Sequence, residues 1–403
     1  MINHKKNLRT GQPLWLSLPQ ARLHHEALTR DMSTDIVIIG AGITGAMAAE
    51  SLSAQGFKVI LLDRRGPLKG STSATTALLQ YDIDQPLTLL SDQIGHAKAT
   101  RAWRRSKLAL ESLAAKIQSL GIMCEPSRLP SLYLAGNVLD AEGLKKECEA
   151  RNAIGLCTDY LTRNQLLETY GIRRSGALMS YDNLAANPLK LAGGFFQKAL
   201  ENGAEIFSPV IVENIESSAE RVHVHTKNGY SITANHAIYA TGYEIPGTIH
   251  TRRHSIHSTF AIATKPQKKN LWPGGCHIWE ASDPYLYMRT TPDGRVICGG
   301  EDEEYKSEEE RDALLTSKTK ALEKKLKECF PQLDTKAEFA WCGSFGASVT
   351  GLPTIGAVPG MKHCYAIMAF GGNGITFSRL AAEILTAELT GKQDPDADLF
   401  AFA

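Results

Sequence analysis

The stretch that most limits what this chain can become is Gly40-Ala41-Gly42-Ile43-Thr44-Gly45. It fits G-x-G-x-x-G, follows the apolar run Asp35-Ile36-Val37-Ile38-Ile39, and opens residues 43–55, whose composition is helical up to a stop at Gly56. Lys58 to Asp63 (KVILLD) reads as a second strand, so strand, helix and strand make a right-handed βαβ unit. Within it Gly40 permits the tight turn, Gly42 lets a pyrophosphate approach the backbone, and Gly45 lets helix and strand pack closely. The helix N-terminus, reached through Ala41, Ile43 and Thr44, offers free N–H groups to the phosphates. Asp63 is placed to accept hydrogen bonds from ribose hydroxyls and would repel a 2′-phosphate. Arg64 and Arg65 stand where they would edge an adenine pocket.

Composition removes several other function classes. The 403 residues carry 44 Lys plus Arg against 43 Asp plus Glu, so no global field draws the chain to nucleic acid or a membrane. Lys5, Lys6 and Arg9 form only a minor basic cluster, without aromatic interleaving. The eight cysteines include no CxxC pair, which fits free thiols in a reducing, cytoplasmic compartment. No apolar run reaches the roughly 18–20 residues needed to span a bilayer. The twelve histidines show no metal-ligand spacing, so no metal is expected. His250, His254 and His257 with Arg252 and Arg253 read as a polar loop and strand edge more readily than as an anion site.

The rest of the chain reads as a second kind of architecture set between pieces of the first. Residues 1–34 look irregular, with Trp15 and Leu16 as anchors. Residues 85–120 read as amphipathic helix, and the pattern then turns to short β-like stretches such as Ser131–Leu134. A helix is expected over Pro188–Glu201, and strands near 204–212, 221–226, 237–240, 257–264, 277–289 and 295–299. Glu301 to Glu328 reads as a charged helix buried along Leu314, Leu315, Leu322 and Leu326. Ala366 to Phe370 reads as a strand, and Ile375 to Leu389 as a helix closing at Gly391. The predicted class is α/β: a Rossmann-like dinucleotide domain from 1–120, 182–250 and 341–403, with a β-rich α+β substrate domain from 121–181 and 251–340.

NAD and FAD share the glycine fingerprint, and two further features favour FAD. The loop Gly70-Ser71-Thr72-Ser73-Ala74-Thr75-Thr76 supplies hydroxyls and backbone donors for more phosphate and a ribityl chain. Ala240-Thr241-Gly242 and Gly371-Gly372-Asn373-Gly374, the latter leading into Ile375 and Thr376, end two more strands where an open α/β sheet offers its ligand crevice. For the substrate, Tyr285, Tyr287 and Arg289 alternate along one strand and so share a face. There Arg289 would pair a substrate carboxylate, with the tyrosines walling the site. Gln80, Tyr81 and Asp82 lie just past the Ser/Thr loop, within reach of a ring.

Seven motifs in order carry a resemblance. DIVIIGAGITG (35–45), VILLD (59–63), GSTSATTA (70–77), ATGY (240–243), YMRTTPDGRVICGGED (287–302), GLPTIG (351–356) and AFGGNGIT (369–376) resemble the D-amino-acid-oxidase-like FAD-dependent oxidoreductases. That group includes glycine oxidase, sarcosine oxidase and γ-glutamylputrescine oxidase, and the likeness runs from about Leu28 to Gly391. It implies oxidation of a C–N bond in a small amine or amino acid, with hydride passing to flavin N5 and the imine then hydrolysed. It also implies that Val212 binds adenine through its backbone, and that a helix beginning at Gly374 or Ile375 faces the flavin N1 and C2 carbonyl.

The chain departs from the group in places. Trp341-Cys342-Gly343 leads to Ser344-Phe345 rather than to an arginine, and Thr350 replaces an acidic residue before G-L-P. Arg295-Val296-Ile297-Cys298 lacks an oxygen-activating lysine, leaving oxygen or another electron acceptor open. Cys342 is one residue out of register for a covalent flavin link, so non-covalent FAD is expected. Two alternatives stand beside amine oxidation: a 2-hydroxy-acid dehydrogenase of the same group, and a non-catalytic flavin-bearing subunit.

Overall fold

The computed structural model describes residues 2–3, 5–249, 254–368 and 371–402. Two sheets organise them. The first is built on a parallel centre in the order Cys364–Met368, Ser231–Tyr239, Met32–Ile39, Val59–Leu62, Glu205–Phe207. Thr354–Ala357 adds antiparallel at one edge, and Val222–Thr226 with Val212–Ser217 forms a side ribbon. Ile36, Val37 and Ile38 are fully buried, as a strand covered on both faces requires. The helices Ile43–Ser53, Pro188–Glu201 and Gly374–Leu389 bury their apolar residues in one common core with Ile36, Ile38 and Leu61.

The second sheet is mixed and longer. Its order is Arg9–Gly11, Ala337–Ser348, His254–Thr264, Val296–Glu304, Tyr287–Thr290, His277–Glu280, Ser127–Leu134, Gly176–Ala185, Leu78–Leu79, with Thr158–Thr162 pairing Gly176–Ala185. Arg9–Gly11, Leu78–Leu79 and most of Ala337–Ser348 thus come from segments that the sequence groups with the first sheet.

Several elements differ from the sequence expectation for local reasons. The helix expected over 85–120 is two, Leu87–Ile94 and His96–Ser119, because Gly95 takes φ +87° between them. The strand expected near 277–289 is His277–Glu280 and Tyr287–Thr290, joined through Asp283-Pro284. The charged helix begins at Glu308, since the preceding strand runs on to Glu304 and Ser307 supplies the cap. Leu322 and Leu326 are buried there, whereas Leu314 and Leu315 are only partly covered. Helices Ala141–Ala153 and Arg163–Tyr170 occupy a stretch expected to be β-like, capped by Asp140 and by a Thr162/Gln165 capping box. In the leader Leu14 and Trp15 are buried, while Leu16 is exposed. The last two residues of the strand expected over Ala366–Phe370 lie outside the described residues.

Candidate active site

Two helices point their N-termini at one seam of the first sheet. Gly42 caps Ile43–Ser53 and Asn373 precedes Gly374–Leu389, and neither helix end has a side-chain cap or an acidic residue in its first turn. The Ile43 N–H donates to Thr72 Oγ1 at 3.1 Å and Asp84 takes the Gly372 N–H ahead of the second helix; the remaining first-turn N–H groups and the helix dipoles face the seam. Thr44 Oγ1 and Ser378 Oγ, 2.8 Å apart, tie the two first turns together.

The glycines are steric necessities. Gly40 has φ +116°, and a Cβ on it would lie 2.3 Å from the Ala240 carbonyl oxygen; one on Gly45 would lie 2.1 Å from the Gly40 oxygen. Gly42 has ordinary extended φ, and a Cβ there would meet only Thr72 Oγ1 at 3.3 Å, so what it keeps open is the mouth of the phosphate loop.

A cleft runs along this seam as two joined cavities that share Ile43, Thr44, Ser71, Thr72 and Gly242. The outer cavity is bounded by Gly40, Gly42, Asp63, Arg64, Val212, Ala240 and Thr241. Ala74, Gly371, Gly372, Asn373, Gly374 and Ile375 line the inner one, together with Tyr285 and Tyr287 from the second sheet. A cleft of this length suits a long ligand with a second, smaller molecule at its inner end.

Four residues expected at a cofactor stand behind the wall instead. Ala41 is buried and donates its N–H to Asp63 Oδ2 at 2.9 Å. Gly45 packs on the Gly40 backbone, fully buried Ser73 turns its hydroxyl to Gly70 O, and Thr376 Oγ1 donates to Gln80 O. Asp63 itself binds the backbone N–H groups of Ala41, Arg65 and Gly66, which fixes the turn at the outer end. Val212 gives its carbonyl to Ile2 N–H while lining the outer cavity.

Arg289 is a correction. It shares the strand of Tyr287, but its Nη1 donates to the Ala77 and Ala186 carbonyls at 2.6 and 3.1 Å, its Nε donates to Thr290 O, and Trp15 lies over it. With those bonds made the guanidinium is buried away from the cavity, and burial pulls its pKa down to about 10. The common face holds at Tyr287; beyond it the leader, through Trp15, closes the space.

Gln80 and Asp82 do reach the inner cavity, whereas Tyr81 is wholly buried. Arg151 pairs Asp82 at 2.5 Å and Glu147 at 2.7 Å, and Glu147 caps the Leu87 and Thr88 N–H groups. Asn373 Nδ2 donates to the Asp82 carbonyl, so this buried ion cluster also positions the start of the Gly374–Leu389 helix.

The sequence reading passed over Asp84, Tyr243, Thr259, Trp279 and Phe345 on the inner wall, and Asp302 beside it. Asp84 Oδ2 accepts from Gly372 N–H at 2.7 Å, and burial pushes its carboxyl up to about 6. Asp302 is also pushed up to about 6, by burial first and then against the Thr259 hydroxyl, which favours the anion; Asp84 and Asp283 raise it further and Lys318 opposes them. Burial lifts Tyr243 to about 12 and Tyr285 well above the ordinary phenol range. The available signals were D-I-D at 82–84 and the Tyr that closes ATGY. For Asp302 the signal was its place at the end of YMRTTPDGRVICGGED.

The cysteine near the expected link position faces elsewhere: Cys342 is fully buried, with Sγ toward Asp312 and Thr10 O, and belongs to neither cavity. Lys5, Lys6 and Arg9 join Arg65 and Lys69 around a shallow hollow past the outer cavity. Of the histidine cluster, His254 lies 3.3 Å from Thr354 Oγ1 and His257 bonds Ser255; His250, Arg252 and Arg253 lie outside the described residues.

With this geometry in place, comparison with known proteins is informative. The model of the FAD dependent oxidoreductase family (DAO) matches residues 35–388. γ-Glutamylputrescine oxidoreductase of Escherichia coli (strain K12) is 24% identical over 394 residues, covering 94% of this chain and 88% of that protein. Glycine oxidase of Bacillus licheniformis is 23% identical over 364 residues, covering 89% and 93%. Among solved structures, L-proline dehydrogenase from P. horikoshii superposes with a TM-score of 0.76 at 18% identity, covering 92% of this chain and 97% of that one.

Proposed function

The chain belongs to the FAD-dependent oxidoreductase family, and from that premise we propose that it oxidises the C–N bond of a small amine or amino acid. The observation that carries this reading is the continuity of the cleft, from Asp63 and Val212 at one end to Gly371–Gly374, Tyr285 and Tyr287 at the other. The residues fit FAD: a side chain on Gly42 would crowd the phosphate loop, and two uncapped helix N-termini face the seam. When bound, FAD would supply the chemistry by taking a hydride from the carbon that bears the substrate nitrogen once that nitrogen has shed its extra proton, leaving an iminium for water to hydrolyse.

The remaining roles fall to the chain. Gly40, Gly42, Ile43, Thr44, Ser71 and Thr72 hold the pyrophosphate, and Asp63 with Arg64 takes the adenosine end beside the Val212 backbone. Asn373, Gly374 and the first turn from Ile375 present N–H groups where negative charge develops, a placement that contributes a few kcal/mol in other enzymes, while Gly371 and Gly372 donate to Gly346 O and Asp84 and hold the turn. Tyr285, Tyr287 and Trp279 wall the substrate off from water. We assign the cofactor to the unit of 1–120, 182–250 and 341–403 and the substrate to that of 121–181 and 251–340, with Ala337–Ser348 shared between them. FAD is held non-covalently, a reading supported by Cys342, whose Sγ turns to Asp312 and Thr10 O. Electrons leave to oxygen or another acceptor. No helix among the described residues is long and apolar enough to cross a membrane, and the free cysteines fit a cytoplasmic setting.

The test is an anaerobic absorbance spectrum of the purified protein, then titration with amines, amino acids and 2-hydroxy acids. Flavin bands that bleach with an amine or amino acid are expected, and readmitted air then identifies the acceptor. Bleaching by 2-hydroxy acids alone would overturn the substrate class. A protein left colourless after soaking with FAD would overturn the reading altogether.

A further inference from the structure

The charge of the inner cavity is one-sided. Among the described residues its lining contains no Arg, Lys or His, but it contains Asp82 and Asp84, with Asp302 just beyond Thr259 and the two tyrosines. Asp82 is neutralised by Arg151. Asp84 has the single Gly372 N–H on Oδ2, and the described residues place no hydrogen bond on its Oδ1. Asp302 Oδ1 is closed to solvent and likewise has no hydrogen-bond partner among the described residues. The cation that opposes Asp302's burial, Lys318, is already shared by Glu301 and Glu303 at 3.2 and 2.5 Å. Arg289, the one arginine on the neighbouring strand, spends its donors on backbone carbonyls.

Aromatic rings complete the wall. Trp279 meets Tyr285 edge-on at 6.4 Å, and Tyr285 leans on Tyr287 at 5.4 Å. Ring faces carry negative potential and attract ammonium groups.

Building on the amine or amino-acid reading above, we propose that the inner cavity admits its substrate as a cation without a carboxylate, with Asp84 on the wall and Asp302 behind it as the specificity-determining residues. An α-carboxylate entering here would leave water to face two acids and find no cationic donor. An ammonium instead gives the open oxygen of Asp84 a charge-assisted hydrogen bond and compensates the Asp302 charge. The substrate class is therefore an aliphatic amine or diamine, not its amino-acid counterpart.

The experiment compares matched pairs that differ only by the α-carboxylate, putrescine against ornithine and ethylamine against alanine, on the FAD-loaded enzyme. Asp84→Asn and Asp302→Asn are measured beside the unaltered protein. A carboxylate-free partner preferred by at least 100-fold in kcat/KM is expected, with that preference reduced at least 10-fold in each variant, mainly through KM. Flavin content and the oxidised flavin spectrum of the variants serve as the folding check. Tetramethylammonium and acetate are titrated separately against the flavin absorbance, a readout that needs no turnover. Tetramethylammonium binding that weakens in Asp84→Asn supports the proposal even if no amine bleaches the flavin, which would sink only the C–N oxidation reading. Amino acids turned over as well as amines, or acetate bound more tightly than tetramethylammonium, would overturn it.

Discussion

Asp302→Asn should change stability with opposite sign in acid and in mild alkali. In the folded chain this carboxyl is pushed from its ordinary value of 3.8 up to about 6. Between those values the folded state keeps a proton that the unfolded state has released, so stability falls as pH rises through the window. The penalty is absent below about pH 3.8 and complete above about pH 6. At about 1.4 kcal/mol per pKa unit it reaches about 3 kcal/mol at pH 8, and at pH 4 it is about 0.5 kcal/mol. Asparagine carries no charge and escapes the penalty, while its amide leaves a donor poorly paired at a cost of about 1–2 kcal/mol at either pH. The variant should therefore be more stable by about 1–2 kcal/mol at pH 8 and less stable by a similar or smaller amount at pH 4. The difference between the two pH values, about 2–3 kcal/mol, is free of the amide's own contribution. Urea unfolding at both pH values measures it, with FAD held at the same saturating concentration so that cofactor linkage cancels. Equal effects of the substitution at pH 4 and pH 8 would refute the reasoning, because the carboxyl would then titrate as it does in the unfolded chain.

Other substitutions separate cofactor contacts from scaffold. Gly42→Asp should purify with less than about a tenth of the flavin yet with unchanged far-UV circular dichroism, because its φ of −88° accepts a side chain while a carboxylate would face the phosphates. Gly40→Ala should yield little folded protein, losing more than about 2 kcal/mol to positive φ and to a Cβ 2.3 Å from the Ala240 oxygen. Arg289→Met should lower the unfolding free energy by about 2–4 kcal/mol through the orphaned Ala77 and Ala186 carbonyls, and leave the ratio of rates on carboxylated and plain amines unchanged. Arg151→Met should cost about 3–5 kcal/mol by stranding Asp82 and Glu147, read from the same urea curves.

What was legible in the sequence was contiguous. Gly40, Gly42, Gly45 and Asp63 lie in one strand–helix–strand unit, so spacing alone placed them. The Ser/Thr loop follows directly and reaches the cleft through Ser71 and Thr72. Signals for the two missed helices were also local, Asp140 before Gly143 and the Thr162/Gln165 box, but they lay in a stretch without strong periodicity. The substrate end was harder to read because its chemistry depends on remote partners. Asp84 bonds a backbone group 288 residues away, and the Trp15 that covers Arg289 comes from the leader. Strand alternation says which face a side chain takes but not what closes over that face.

The two ends of the cleft make opposite electrostatic demands, and the fold meets them by a division between sheets. Phosphates need positive potential, which the first sheet supplies from the helix N-terminus at Gly42, with no charged side chain in that helix's first turn. The cations of the outer cavity, Arg64 and Arg65, both pair with Glu244; an unpaired cation at the Gly42 turn would instead extend its field over the adjoining inner cavity and attract any small carboxylate in solution. Backbone dipoles fall off within a turn, so the inner cavity is free to be negative. Asp84 stands at the junction, bonded to Gly372 in the turn that opens the second helix, and its carboxylate belongs to both regions. A substrate cation that pairs with Asp84 is thereby set beside the N-terminus of that helix, so one contact supplies both selection by charge and position along the cleft.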